Sequence, residues 1–475
     1  MSIKFGTDGW RAVLARDFTF KNCRVLSQSI AAYITAQNLA RKGLVVAYDQ
    51  RFMAEDFALE CARVLAGNGI RTYIMRRAAP TPLAAYAVQQ LEAGGAIVIT
   101  ASHNPPEYCG MKFIPYYAGP ALPDVTDILE QEADRIEDGG RIYELDLEEA
   151  EKLDLYREVD LERSYLDHLK RILKPELFVG HTLKVVVDPM FGCGIGYLEK
   201  VLGELGCEVK TIHNYRDPYF GGIRPDPSES NLAALQRAVL NQQAEIGLAM
   251  DGDGDRFGII DKEGNFISPN IFMAMVLEHL LQTRSFRGPV ARNVATSHLL
   301  DRVARRNGLP VIETPVGFKF LSQALRDRAC MLAGEESGGL SIFGHVPEKD
   351  GILACLLAVE MLVSSGQSLS AWQERLLEEY GSDVSRRFDL PLDPRVKETL
   401  PQLLAGFKPR NMAGQKVVSC VMDQGLNITL ENGSWVLVRS SGTEELLRVY
   451  VEANDLGTLE MMRDEVLEGL NLQVL

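Results

Sequence analysis

Asp251 to Arg256, "DGDGDR", sets three carboxylates at alternate positions with glycines between them. In a loop, the glycines permit tight turns that bring Asp251, Asp253 and Asp255 onto one hard divalent cation; on a helix the same side chains would point apart. An EF-hand is excluded, because its sixth position would be Arg256 rather than Gly and its twelfth Lys262 rather than Glu. Three carboxylates leave coordination positions open, which suits magnesium held partly by a phosphate oxygen. The adjoining Arg256 suits the same phosphate.

A second chemical signal lies in "AIVITASHNPPEYCGMKF", Ala96 to Phe113. A β-branched apolar run stops at Ser102-His103-Asn-Pro, and Lys112 follows ten residues after the serine. The expectation is a strand that delivers an unprotected hydroxyl into a polar loop. A serine triad is improper chemistry for this loop: Ser102 and His103 are chain neighbours that do not point at each other, and no Gly-x-Ser-x-Gly elbow occurs. Ser102 carrying a phosphoryl group, neutralised by magnesium on the three aspartates, accounts for the hydroxyl.

Two further loops belong to the same chemistry. "GEESGG", residues 334 to 339, offers carboxylate and hydroxyl acceptors suited to sugar OH groups. Near the end, "VLVRSSGTEELLRVYVEA" places Arg439, Ser441, Gly442 and Thr443 between two strand-like runs, where a guanidinium, hydroxyls and backbone N–H groups form an anion nest. It is not a Walker loop, since Gly-x-x-x-x-Gly-Lys-Ser/Thr occurs nowhere. "FGCGIG", 191 to 196, lacks dinucleotide spacing and reads as a strand-to-helix turn. His168, His213 and His279 have no partners at metal-ligand spacing and receive no role.

These loops need elements to hold them. Short apolar runs recur at 43–49, 95–101, 183–189, 246–252 and 417–423, continuous rather than alternating, as expected of strands covered on both faces. Helical patterns such as "EDFALECARVLAGNG" lie between them. The fold class is therefore α/β, in several strand-helix-strand units. Three of the loops directly follow strands, so three units would present them to one cleft. At 475 residues the chain should hold roughly three or four domains. Composition breaks give four: 1–165, 166–268, 269–382 and 383–475, with the stretch 124–171 read as helix-like.

The bulk composition narrows the partners. Acidic residues number 65 against 50 basic, a net charge of −15, and no Lys/Arg run is present, which argues against nucleic acid. A few arginines in one cleft still suffice for a small anion. No segment approaches the ~20 apolar residues of a membrane span. The eight cysteines form no Cys-x-x-Cys pair, and the first residues resemble no targeting signal, so a cytoplasmic location is expected.

In this order, from "GTDGWR" to "RSSGTEE", the loops resemble those of the α-D-phosphohexomutase superfamily: phosphoglucomutases, phosphomannomutases and phosphoglucosamine mutases. The resemblance implies a heart-shaped arrangement of three related α/β domains with mixed sheets plus a smaller α+β C-terminal domain around a cleft. It implies that Ser102 is phosphorylated, that Asp251, Asp253 and Asp255 with the Ser102 phosphate hold Mg2+, and that Arg256 faces the reacting phosphate. Glu335 and Ser337 would bind sugar hydroxyls, and Arg439, Ser441, Gly442 and Thr443 the other phosphate. Arg11 and Lys112 match basic active-site residues, and His103 is a candidate proton-transfer group.

The implied reaction interconverts hexose 1-phosphate and hexose 6-phosphate through a hexose 1,6-bisphosphate. "TPVGFKF", with Lys319, is most like the phosphoglucomutase segment, so glucose comes first and mannose second, ahead of glucosamine. A magnesium-dependent phosphatase and a noncatalytic sugar-phosphate sensor are the rival classes. The expected partner is a small sugar phosphate, and the expected state a monomer or homodimer.

Overall fold

Four sheets carry the chain, in a computed structural model that describes residues 3–441 and 445–472, apart from the side chain of Pro394. The first three share one plan. In the first, the spatial order is Trp10–Val13, Tyr108–Pro115, Gly95–Ile99, Leu44–Tyr48, Thr72–Met75, Tyr156–Val159. Gly95–Ile99, Leu44–Tyr48, Thr72–Met75 and Tyr156–Val159 run parallel, and Tyr108–Pro115 returns antiparallel beside Gly95–Ile99.

The second sheet repeats this with Ile246–Met250 parallel to Lys184–Asp188 and Phe257–Asp261 returning antiparallel. In the third, Leu332–Glu335 lies parallel to Val290–Asn293 and Gly339–Ile342 returns. Each unit thus has one hairpin at the point where its sheet changes from parallel to antiparallel. The three hairpin loops contain Ser102, the Asp251–Asp255 triad and Ser337 respectively. Three loops read separately in the sequence are one structural position used three times.

Burial explains why these strands read as continuous apolar runs. Leu44–Tyr48, Gly95–Ile99 and Ile246–Met250 are buried at every residue, because helices cover both faces. The last sheet differs: its order is Val384–Pro391, Leu446–Ala453, Trp435–Ser440, Leu426–Leu430, Gln415–Met422, Asn411–Met412, antiparallel throughout. The apolar run of Gln415–Met422 predicts cover on both faces; instead Val418 is 58% and Val421 50% exposed. It lies near the edge of a sheet with helices Pro394–Gly406 and Leu456–Gly469, and among the described residues nothing covers its second face.

The stretch 124–171 also departs from a helix-like reading. Helices Pro123–Glu137 and Glu162–Ile172 are separated by the short helix Leu147–Lys152 and by strand Tyr156–Val159, the far edge of the first sheet. Its Arg157 and Glu158 are exposed, which is how edge strands resist pairing with other chains and why the run lacks an apolar signature.

Apolar packing joins the first three units. One cluster of buried residues runs through Val45 and Val98, Val187 and Leu248, and Leu332 and Leu340. The C-terminal unit has its own core, around Leu404, Ile428, Val449 and Val466. Among the described residues no single helix is long and apolar enough to cross a membrane.

Candidate active site

Strand Gly95–Ile99 ends at Thr100, whose hydroxyl accepts the Ser102 N–H at 2.8 Å. Ser102 then turns into the left-handed region at φ 50°, a conformation that costs a non-glycine residue of order 1–3 kcal/mol and persists only where the surroundings fix it. The expected unprotected hydroxyl is not found. Ser102 is fully buried, and Oγ donates to Asp251 Oδ2 at 2.8 Å, because the metal loop of the second unit closes over the serine loop. Gly252 permits that approach: a Cβ there would stand 2.7 Å from the Ser102 carbonyl oxygen.

The triad is equally enclosed. Asp251, Asp253 and Asp255 are fully buried, with one oxygen from each within 4.8 Å of the others. Gly254, at φ 72°, makes the turn between them. Asp251 Oδ1 accepts the N–H groups of Asp255 and Arg256, and Thr81 of the first unit donates to Asp253 Oδ2 at 2.5 Å. Burial, then the nearby Asp253 and Asp255, pushes the Asp251 carboxyl well up. Burial also opposes the charge on Asp253, but Lys112 holds that carboxyl low.

Two buried oxygens, Asp253 Oδ1 and Asp255 Oδ1, have no hydrogen-bond partner among the described residues. Unpartnered carboxylate oxygens in a crowded acidic loop are the donor set of a hard divalent cation, which would relieve both the repulsion and the missing bonds. The residues present therefore fit magnesium.

Cations ring the carboxylates. Lys112 Nζ lies 2.7 Å from Asp253, 2.7 Å from Asp255 and 2.9 Å from Asp8. Burial works against its charge, but these three carboxylates hold it protonated. Lys349 Nζ, 2.7 Å from Asp8 and 3.0 Å from Asp255, is held up in the same way against burial. Neighbouring Glu348 is pushed up to about 8 by burial.

Beside this cluster opens a cavity of about 380 Å³, with Arg11, His103, Arg256, Lys319, Glu335 and Ser337 on its walls. Arg11 is anchored through Nη1 to Asn104 Oδ1 at 2.7 Å, yet its Nε–H, like that of Arg256, is buried without a partner among the described residues. Burial opposes the Arg256 charge, and Asp255 and Asp226 hold it. Against the expectation that these chain neighbours point apart, the left-handed turn at Ser102 brings His103 Nδ1 to 3.4 Å from Ser102 Oγ; burial and then Arg256 and Arg11 drive this imidazole well below its usual range, so it is neutral. Glu335 accepts from Ser337 Oγ at 2.8 Å and from Asn293 at 3.2 Å.

The C-terminal wall differs from expectation. Among the described residues it is formed by Arg387, Asp389, Arg448 and Tyr450; Arg439 and Ser441 are not among its lining residues, and Gly442 and Thr443 lie outside the described residues. Arg439 faces Arg448 directly across the antiparallel pair, and Arg448 faces Asp389 on its other side. Like charges opposite each other destabilise a sheet unless an anion lies between them. Arg439 Nη1 is buried without a partner among the described residues.

Sequence reasoning missed Asp8, Lys349, Arg387 and Arg448. Asp8 was in view in "GTDGWR", and Lys349, in "PEKDG", stands between two acidic residues just before a long apolar helix, which is an unusual place for a buried lysine.

Comparison with known proteins places the chain as a whole. The models of phosphoglucomutase/phosphomannomutase alpha/beta/alpha domains I, II and III match residues 2–139, 163–264 and 268–380, and that of the C-terminal domain matches 396–469. A phosphoglucomutase/phosphomannomutase of Thermococcus kodakarensis is 30% identical, covering 94% of both chains. A phosphoglucosamine mutase of Arthrobacter sp. is 32% identical over 97% of this chain and 96% of its own. A solved structure from Thermus thermophilus, assigned as a phosphomannomutase, superposes with a TM-score of 0.86 at 30% identity, covering 99% of this chain and all of that one. With all four domains matched in order and the acidic triad, serine loop and cationic cavity gathered at their junction, this chain belongs to the phosphoglucomutase/phosphomannomutase family of phosphohexomutases, which are isomerases.

Proposed function

We propose that this phosphohexomutase interconverts hexose 1-phosphate and hexose 6-phosphate, glucose first, through phosphorylated Ser102 and a hexose 1,6-bisphosphate. One juxtaposition carries the reading. Ser102 Oγ sits 2.8 Å from a carboxylate triad with two unpartnered oxygens, beside a cavity into whose walls two buried guanidinium groups bring N–H donors that no atom of the described residues accepts. An acceptor set for a cation next to a donor set for an anion is what a phosphoryl group on Ser102 would satisfy.

Asp251, Asp253 and Asp255 would hold magnesium, which when bound supplies charge neutralisation at the transferring phosphoryl oxygens. Arg11 and Arg256 donate to those same oxygens and bear the charge that develops during transfer. Glu335 and Ser337 orient the sugar hydroxyls, and Lys319 extends the cationic wall. The accepting hydroxyl attacks phosphorus, the bond from phosphorus to Ser102 Oγ breaks, and the hydroxyl proton passes to neutral His103 and from it to the departing Ser102 Oγ. Lys112 and Lys349, held protonated, balance the carboxylates and are poorly suited to accept it. Arg387, Arg439 and Arg448, together with Ser441, Gly442 and Thr443 of the sequence motif, would receive the phosphate that is not reacting. The bisphosphate then turns round, and its second phosphate returns to Ser102. The units 1–165, 166–268, 269–382 and 383–475 each supply one of these loops.

Relatives named for glucose, mannose and glucosamine phosphates leave the sugar to experiment. The assay compares glucose, mannose and glucosamine 1-phosphates with magnesium and a trace of the matching 1,6-bisphosphate, with a chelator control. Glucose 6-phosphate should form fastest, and chelation should abolish it. Faster turnover of either other sugar would overturn the preference, and release of free phosphate without 6-phosphate would overturn the mutase reading in favour of a phosphatase.

A further inference from the structure

Arg51 touches neither the cavity nor the carboxylate triad, yet it is 1% exposed and every N–H of its guanidinium is used. Nη2 donates to the carbonyls of Ser102 and Asn104, both at 2.7 Å; Nη1 donates to those of Pro105 at 2.8 Å and Tyr108 at 3.0 Å; Nε donates to Asp49 Oδ2 at 3.1 Å. Four of the five acceptors are main-chain oxygens of residues 102–108, the loop that carries Ser102 and the first residue of the strand after it. Asp49 completes the frame. Its Oδ2 also accepts the Thr100 hydroxyl at 2.6 Å, and that hydroxyl in turn accepts the Ser102 N–H at 2.8 Å. The backbone is thus gripped at the Ser102 carbonyl and at its N–H, on either side of its left-handed φ.

The outer face of the guanidinium meets the second unit. The centroid of the Phe220 ring lies 4.9 Å from the Arg51 guanidinium carbon, and the same Ser102 carbonyl that Arg51 binds is packed against Gly252 of the metal loop. One side chain therefore fixes the shape of the serine loop and its seat against the neighbouring unit. With no donor left over, Arg51 cannot bind substrate. A lysine could not replace it, since three donors on one nitrogen cannot span acceptors arrayed around a loop.

We infer that Arg51 is a positioning residue for phosphoryl transfer, holding the Ser102 loop in the backbone shape that sets Ser102 Oγ against Asp251, with Phe220 keeping that loop in register with the second unit. The inference rests on Ser102 being the phosphoryl carrier. The groups placed on the sugar and on the phosphate that is not reacting, Glu335, Ser337 and the C-terminal arginines, make no bond to Arg51, and Arg11 is linked to it only through Asn104 of the same loop, so its loss should act on the chemical step.

The test measures kcat and KM for glucose 1-phosphate in wild type, Arg51→Lys and Phe220→Leu, with thermal melts of each and radiolabelling of wild-type Ser102 from labelled bisphosphate. Arg51→Lys should lower kcat roughly 100-fold, the scale of a misplaced reacting group, with KM within about 3-fold of wild type. Phe220→Leu keeps all five hydrogen bonds and should lower kcat about 5-fold, as loss of one cation–π contact implies. Wild-type kcat in a folded Arg51→Lys, or a loss explained wholly by its unfolded fraction, would overturn the inference. If that variant does not fold, unchanged kcat in Phe220→Leu overturns it instead. Absence of label on wild-type Ser102 would sink the carrier reading itself, a result separate from either variant.

Discussion

The serine loop and the C-terminal wall face the same cavity but are built on different principles. Around Ser102, backbone carbonyls, N–H groups and side chains from two units are tied by hydrogen bonds of 2.5–3.1 Å. At the C-terminal wall, Arg387 pairs with Asp389 at 2.8 Å, Arg448 lies 3.7 Å from the same carboxylate, and Arg439 keeps a buried nitrogen unpartnered among the described residues. The first region fixes a geometry; the second stores charge. Transfer of a phosphoryl group tolerates little misplacement, whereas a phosphate that is merely held needs cations within reach.

The sharpest way to break that contrast is Ser102→Ala. It should abolish at least ~99% of turnover while substrate still binds, because the carrier is gone and the cationic walls remain. Isothermal titration beside steady-state rates checks both halves, and near-wild-type turnover would reject the carrier role. Arg439→Ala probes the other region. It should cost roughly 2 kcal/mol of substrate binding, one charge-assisted hydrogen bond, and leave kcat within a few-fold. A kcat collapse with unchanged KM would erase the distinction between the two regions.

The smallest effect concerns the join between the C-terminal unit and the body. His298, whose N–H donates to Glu452 at 3.1 Å, has its imidazole pulled down to about 4 by burial and then by Arg292. A depressed histidine binds its proton more weakly when folded than when unfolded. Its contribution is therefore complete above pH 6.5 and is lost as pH falls toward 4. The loss should be about 1 kcal/mol after allowance for partial solvent access. Thermal melts at pH 7 and pH 5 should differ less in His298→Gln than in wild type; an equal difference would remove His298 from the account.

Much of the site was legible because strand ends are legible. An apolar run that stops at Ser-His-Asn-Pro, or at Asp-Gly-Asp-Gly-Asp, announces both the element and the polar loop it carries. Arg51 illustrates the limit. It follows the apolar run 43–49 as the other site residues follow theirs, but its acceptors are backbone carbonyls, which leave no trace in residue type. Burial of Ser102 was invisible for a related reason: the cover comes from a loop about 150 positions further on, at Asp251. At the C-terminal wall the motif points to Arg439, while the residues that line the cavity are Arg448, directly opposite it in register, and Arg387 one strand further on.

The interior of the last unit is a private one. It meets the body through a small apolar patch of Val294, Ala295, Trp435, Leu437 and Tyr450, and through a few polar contacts such as Asn270 with Ser385. Heat or denaturant should therefore peel this lobe away while the other three, joined through one shared cluster, stay together. A bisphosphate gripped from both sides would act as a rivet, merging two melting events into one.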